Sequence, residues 1–229
     1  MNIRKIAAPK PTNEVFENAF WILKQSHKSA ESLFSAFNSI RASKRTVGKT
    51  THEEQDILRA MLILTSSGLD ALLKQLIRDT LHLLISIDTM AKKELEKFVD
   101  RKIRDGLEQP QKTILREFLT SILTANSRKD QIIKEYKQQL IANSLQSIPE
   151  LNKCCAALGL KDGDIKVKQD DIKKGFDIRN LIVHELDINF AGKKSNRHQR
   201  AKDDMAFYTN IILELSENIY KTLADKIKK

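Results

Sequence analysis

Three residue types that can together break an RNA phosphodiester lie within six positions near the carboxy-terminal end of the chain. They are Arg179, Asn180 and His184, in the run Asp177-Ile178-Arg179-Asn180-Leu181-Ile182-Val183-His184-Glu185. An Arg guanidinium holds two phosphate oxygens at once and stabilises charge developing at phosphorus. An imidazole gives or takes a proton near neutral pH. An Asn amide positions a hydroxyl or the imidazole. None of these roles needs a metal ion.

The spacing constrains how the three can act. On a helix, with about 100° per residue, Asp177, Asn180, His184 and Asp187 fall on one polar stripe. Arg179 lies about 140° from His184 on the same wheel. One straight helix therefore pairs Asn180 with His184 and leaves Arg179 apart. Arg179 must reach around the helix, the helix must distort, or two chains must contribute.

Several other groups invite chemistry and carry less. The segment Lys193, Lys194, Arg197, His198, Arg200 and Lys202 has no acid before Asp203 and follows the Arg/Asn/His run closely. It can grip RNA phosphates, or it can be a solvated loop. Arg41, Lys44, Arg45 and Lys49 form a second basic cluster. Gly48-Lys49-Thr50 is not a phosphate-binding loop, because Ser43 stands where that loop needs a glycine and no strand precedes it. His27 sits in an apolar seam and is expected to be a hydrogen-bonded structural histidine. His52 is expected at a helix start, and His82 on an apolar helix. Cys154 and Cys155 are adjacent, which excludes a disulfide framework and a Cys-rich zinc site. They read as buried small apolar residues in a reducing, cytoplasmic setting.

The elements that must position these residues are helices. Among 229 residues there are only 7 Gly and 4 Pro, and aromatics make up 6%, so turns and β-formers are scarce. A first helix is expected from Thr12 or Asn13, with Phe16, Phe20, Leu23, His27, Ala30, Phe34 and Phe37 on a seam of period about 3.5. Residues 41–52 read as a polar loop. A second helix, Glu53 to Ile87, is apolar on more than one side and should be central. Its Gly68 costs about 1 kcal/mol of helix propensity relative to Ala, which a close helix–helix approach would offset. Residues 90–165 read as an inserted helical region, with helices over 91–104, 111–124, 129–146 and 149–158 and a turn at 160–164. Helices over 169–186 and 203–227 complete the pattern. The fold class that follows is all-α: an antiparallel bundle of four principal long helices with an inserted helical region.

The net charge of +10 favours an anionic partner. The first eleven residues are basic, broken by Pro9 and Pro11, and lack the apolar core of a signal peptide. No apolar run reaches the roughly 18 residues of a membrane span, so no membrane partner is expected.

The run Arg179-Asn180-Leu181-Ile182-Val183-His184 resembles the motif of the HEPN superfamily, whose ribonucleases carry Arg, four to six residues, then His, often with Asn directly after the Arg. Upstream, Ser66-Ser67-Gly68-Leu69-Asp70-Ala71-Leu72-Leu73 resembles the small-residue and acidic stretch on an earlier bundle helix. The layout is most similar to the RiboL-PSP-HEPN branch, with the likeness covering about residues 53–88 and 168–228. The resemblance implies one helical domain over 1–229: two bundle helices in 12–88, the inserted region in 90–165, and the motif helix and last helix in 168–228. It implies a homodimer with facing motifs, so that Arg179 and His184 of both chains line one cleft. The implied reaction is attack of an RNA 2′-hydroxyl on the adjacent phosphate, giving a 2′,3′-cyclic phosphate end without a cofactor. Arg179 would stabilise the transition state, His184 would handle protons, Asn180 would orient, and Asp70 would support. The setting implied is a toxin or anti-phage effector, with an antitoxin or regulatory protein as a partner. A Tyr two residues after the His accompanies silencing by a nucleotidyltransferase in such toxins; this chain has Leu186 there. The competing expectation is a non-catalytic HEPN-like helical module that binds RNA or a protein.

Overall fold

The computed structural model describes residues 1–43, 50–108, 112–190 and 196–228. A 3-10 turn at Glu14–Phe16, capped by the Asn13 side chain on Val15 N–H, leads into α1, Glu17–Ser43. Then come α2 (His52–Ile87), α3 (Thr89–Glu108), α4 (Lys112–Leu123), α5 (Arg128–Ile141), α6 (Ile148–Ala157), α7 (Gln169–Glu185) and α8 (Lys202–Ile227). Between α7 and α8 a two-residue ladder pairs β1 (Ile188–Asn189) with β2 (Asn196–Arg197) antiparallel. The chain is all-α in class, and this short ladder was not expected.

α2 is the axis. It packs against α1, α7 and α8, and also against α3, α5 and α6. Leu58, Met61, Leu62, Leu69, Leu72, Leu73, Leu76, Ile77, Leu81 and Leu84 are all fully buried, so the helix that is apolar on several sides is central. A capping box starts it: Glu54 N–H donates to the Thr51 hydroxyl, and the Glu54 carboxylate accepts from Thr51 N–H. Among the described residues α2 is the one helix with the length and hydropathy to cross a membrane. Here its apolar sides face other helices.

Gly68 does what its position predicts. A Cβ there would lie 2.5 Å from Ser26 Cβ of α1, so α1 and α2 approach more closely than any side chain would permit. Gly106 marks a second close approach. A Cβ on it would meet Leu115 Cβ of α4 at 2.5 Å, and α3 runs on to Glu108, past the expected end at 104.

The expected helix over 129–146 is too long; α5 stops at Ile141. Backbone groups that would have continued it are bonded elsewhere. Leu145 N–H donates to Asp70 Oδ1 at 2.7 Å, and beside it the Gln146 side-chain Nε2 donates to the Ser66 carbonyl at 3.0 Å. Ser147 then caps α6. The 142–147 link is thus sewn onto α2 at the level of the small-residue stretch.

Candidate active site

α7 carries Arg179, Asn180 and His184 and packs against both α2 and α8. Ile172, Phe176 and Ile182 are buried, which fixes the rotation of the helix. Arg179 and Asn180 are then half-buried, and His184 is exposed on the last turn.

Arg179 Nη1 donates to Asn180 Oδ1 at 2.9 Å. Asn180 therefore orients the guanidinium from the next position in the chain. The Arg179 Nε is buried and has no hydrogen-bond partner. Burial pulls the guanidinium below its ordinary pKa, and the negative charge of Asp70 on α2 works in the opposite direction. Asp70 is already engaged: Oδ1 accepts from Leu145 N–H and Oδ2 pairs with Lys74 at 2.9 Å. Two further buried polar atoms without partners lie on the residues that sew the 142–147 link to α2, Ser66 Oγ and Gln146 Oε1. An unmet buried donor or acceptor costs about 1–3 kcal/mol, so the fold bears that cost at this level of α2.

The carboxy-terminal end of α7 is built differently. Leu186 ends the helix in the left-handed region at φ 51°, and Asp187 follows at φ 59°. Outside glycine this conformation costs about 1–2 kcal/mol per residue. Asp187 therefore leaves the polar stripe on which the helical wheel placed it. It is fully buried. Its N–H closes the helix on the Leu181 carbonyl at 2.9 Å, and its own carbonyl accepts from His198 N–H at 2.8 Å. Its carboxylate accepts from Arg59 Nε of α2 at 2.7 Å and from Arg200 Nε at 3.0 Å, with a second, shorter contact from Arg200 Nη2. Burial pushes this carboxyl's pKa up, but the two guanidinium groups outweigh that and hold it below the ordinary range.

The network continues outward. Arg59 also reaches Asp56 at 3.0 Å and the His198 carbonyl at 2.7 Å. Arg197 pairs with Asp56 at 2.7 Å and donates to the Leu186 carbonyl at 3.2 Å. Gln55, fully buried, donates to the Gln199 side chain and accepts from Arg200 N–H. α2 and α7 are thus linked at two levels with opposite chain directions, Asp70 acting on Arg179 and Arg59 on Asp187.

These contacts redistribute the expected site. Asn180 and Arg179 touch, and Asp70 acts on Arg179 by charge. No hydrogen bond or ion pair among the described residues joins His184 to Arg179. Arg197 and Arg200 of the basic segment are bonded internally to Asp56 and Asp187. Lys202 lies over the Phe34 ring, its Nζ 4.9 Å from the centroid. Lys193 and Lys194 lie outside the described residues, as do Lys44, Arg45 and Lys49. Arg41 pairs with Glu54 at 3.3 Å. His27 is structural, its Nε2 2.7 Å from the Arg4 carbonyl. Cys154 and Cys155 are free and buried, and burial raises both thiols, Cys155 to about 12.

Sequence reasoning passed over Arg59, Gln55, Gln146 and the inward role of Asp187. A signal for Arg59 was available. It interrupts the apolar run Leu58 to Leu62 on a helix read as central, and a buried Arg must have an acidic partner.

With the fold and geometry in view, the class is that of a HEPN-type helical module. The chain belongs to the RiboL-PSP-HEPN family, whose model matches residues 25–225. No curated protein matches the chain, and no solved structure does.

Proposed function

We propose that this protein is a metal-independent endoribonuclease acting through Arg179, Asn180 and His184. The observation that carries the proposal is the state of Arg179: a half-buried guanidinium, oriented by Asn180, in the field of Asp70, with its Nε unpartnered. A surface Arg with a purely structural role would spend its donors on the protein. This one meets an amide oxygen and, among the described residues, no carboxylate in contact, so its charge is left to an anion in a partly desolvated place, where charge stabilisation is strongest.

In the reaction the RNA 2′-hydroxyl attacks the adjacent phosphorus and the bond to the 5′-oxygen of the next nucleotide breaks. The products are a 2′,3′-cyclic phosphate and a 5′-hydroxyl. A proton leaves the 2′-oxygen and one reaches the departing 5′-oxygen; His184 carries this transfer, and Arg179 stabilises the non-bridging oxygens. The exposed His184 stands beside apolar side chains open to solvent, Val183 at 39%, Leu186 at 67% and Phe190 at 67%. A second copy of the chain covering them would bring two motifs into one cleft and supply the Arg–His juxtaposition absent within a single chain. RNA is the substrate, Lys193 and Lys194 contribute phosphate contacts, and a toxin or anti-phage role with a neutralising protein fits the family. Two free, buried cysteines suit a cytoplasmic setting.

The test is cleavage of a mixed-sequence RNA by the purified chain in excess EDTA, beside Arg179→Ala and His184→Ala. Wild-type cleavage leaving cyclic phosphate ends, lost in both folded variants, is the expected result. Equal cleavage by the variants would overturn it. No cleavage of several RNAs, with binding retained in His184→Ala, would point instead to a non-catalytic RNA-binding module.

A further inference from the structure

Among the described residues, Leu186 and Asp187 are the only non-glycine residues with positive φ, and they are consecutive. They follow His184 and Glu185 directly. A glycine would end the helix here without strain. Left-handed non-glycine residues persist where the surroundings over-determine them, and they gather at functional sites. That over-determination is visible around Asp187. Its N–H, its carbonyl and both carboxylate oxygens are bonded, to α7 itself, to His198, to Arg59 of α2 and to Arg200. The Leu186 carbonyl is held in turn by Arg197.

We propose that Asp187 is a positioning residue of the candidate site: by locking the left-handed turn onto Arg59 and Arg200, it fixes the last turn of α7, and with it His184, relative to α2. Arg59 lies eleven positions before Asp70 on the same helix. One rigid helix thus references both ends of the motif, Asp70 at Arg179 and Arg59 behind His184. The guanidinium forks matter because a planar donor pair sets the carboxylate's orientation, which a point charge does not. Misplacement of a reacting group by about 1 Å costs on the order of a hundredfold in rate, so a loosened turn is felt in catalysis before binding.

The kinetic consequence rests on the ribonuclease reading, whereas the positioning itself can be read without it. The full-length protein would be compared as wild type, Asp187→Asn, Arg200→Lys and a remote surface control, the exposed Glu96→Gln. Arg200→Lys keeps the positive charge and loses the fork, so it carries the test where Asp187→Asn does not fold. The first readout is the ring resonance of His184 by NMR, identified among the five histidines by its loss in His184→Ala. The second is kcat and KM on a short RNA, well below each variant's unfolding temperature. The expected result is a displaced His184 resonance and a kcat lowered about tenfold or more, with KM within about twofold, while Glu96→Gln matches wild type. An unmoved His184 resonance and wild-type kcat in a folded variant would overturn the proposal. A wild type that cleaves no RNA would remove the ribonuclease reading alone, and the His184 resonance would still decide whether Asp187 positions it.

Discussion

The two ends of the motif stretch, the Arg179 turn of α7 and the Asp187 turn that closes the helix, are finished in opposite ways. At the Asp187 end, Arg59, Arg200, Arg197, Asp56 and Gln55 bond to one another and to backbone, and the strained turn sits inside that mesh. At the Arg179 end, Arg179 Nε, Ser66 Oγ and Gln146 Oε1 have no partner although they are buried. Both ends are polar and both hold guanidinium groups, so charge alone does not tell them apart. Saturation does. A guanidinium whose donors are spent on carboxylates and carbonyls is part of the scaffold; Arg179 is bonded to an amide oxygen and, among the described residues, enters no ion pair, so its charge is left uncompensated. Folding free energy is invested at one end and withheld at the other.

The largest expected effect tests the unsaturated end. Arg179→Ala and His184→Ala should each lower RNA cleavage by about a hundredfold or more, with a change of unfolding free energy near zero. A large loss of stability in Arg179→Ala would show that its donors serve the fold after all, and the contrast would fail.

The saturated end should show the reverse balance. Asp187→Ala strands Arg59 and Arg200 without their carboxylate and should cost about 3–5 kcal/mol of stability, measured by urea unfolding. A loss below about 1 kcal/mol would mean that water solvates the network and that Asp187 is not an anchor. The same pair predicts the pH response. The folded-state pKa of Asp187 lies below its unfolded value, so its contribution is present above the unfolded value of about 4. It is lost as pH falls through the folded value. Wild type should therefore lose stability on acidification more steeply than Asp187→Asn.

A smaller effect separates the basic residues. Each Lys that contacts an RNA phosphate adds roughly 0.7 to the slope of log affinity against log salt for single strands. Replacing Lys193 and Lys194 should flatten that slope. Replacing Arg197 should leave it nearly unchanged, because Asp56 and the Leu186 carbonyl already occupy its guanidinium. Equal flattening by Arg197 would show that RNA competes for the network.

The smallest effect concerns the linkage between Asp70 and Arg179. Asp70→Asn keeps an acceptor for Leu145 N–H and removes the charge facing Arg179. It should cost about 1 kcal/mol or less in stability and a several-fold drop in cleavage.

Much of this molecule was legible in its residues alone. Periodic apolar positions marked α1, α2 and α8, because a helix that must bury one side repeats near the helical period. The Arg–Asn–His run stood out because those residue types can together do phosphodiester chemistry, and Gly68 because a glycine inside a central helix needs a packing reason. Other features depended on distant parts of the chain. α5 ends early because Asp70 and Ser66, more than seventy residues away, capture the backbone and side chain of the following link. Asp187 looks like a fourth member of a polar stripe until Arg59 and Arg200 arrive from other elements and turn it inward. Local propensity and periodicity are properties of neighbours in sequence, so they set the helices and the motif. Whether a charged side chain is spent or available depends on partners more than a hundred residues away, as Arg59 is from Asp187, and only the folded chain decides that.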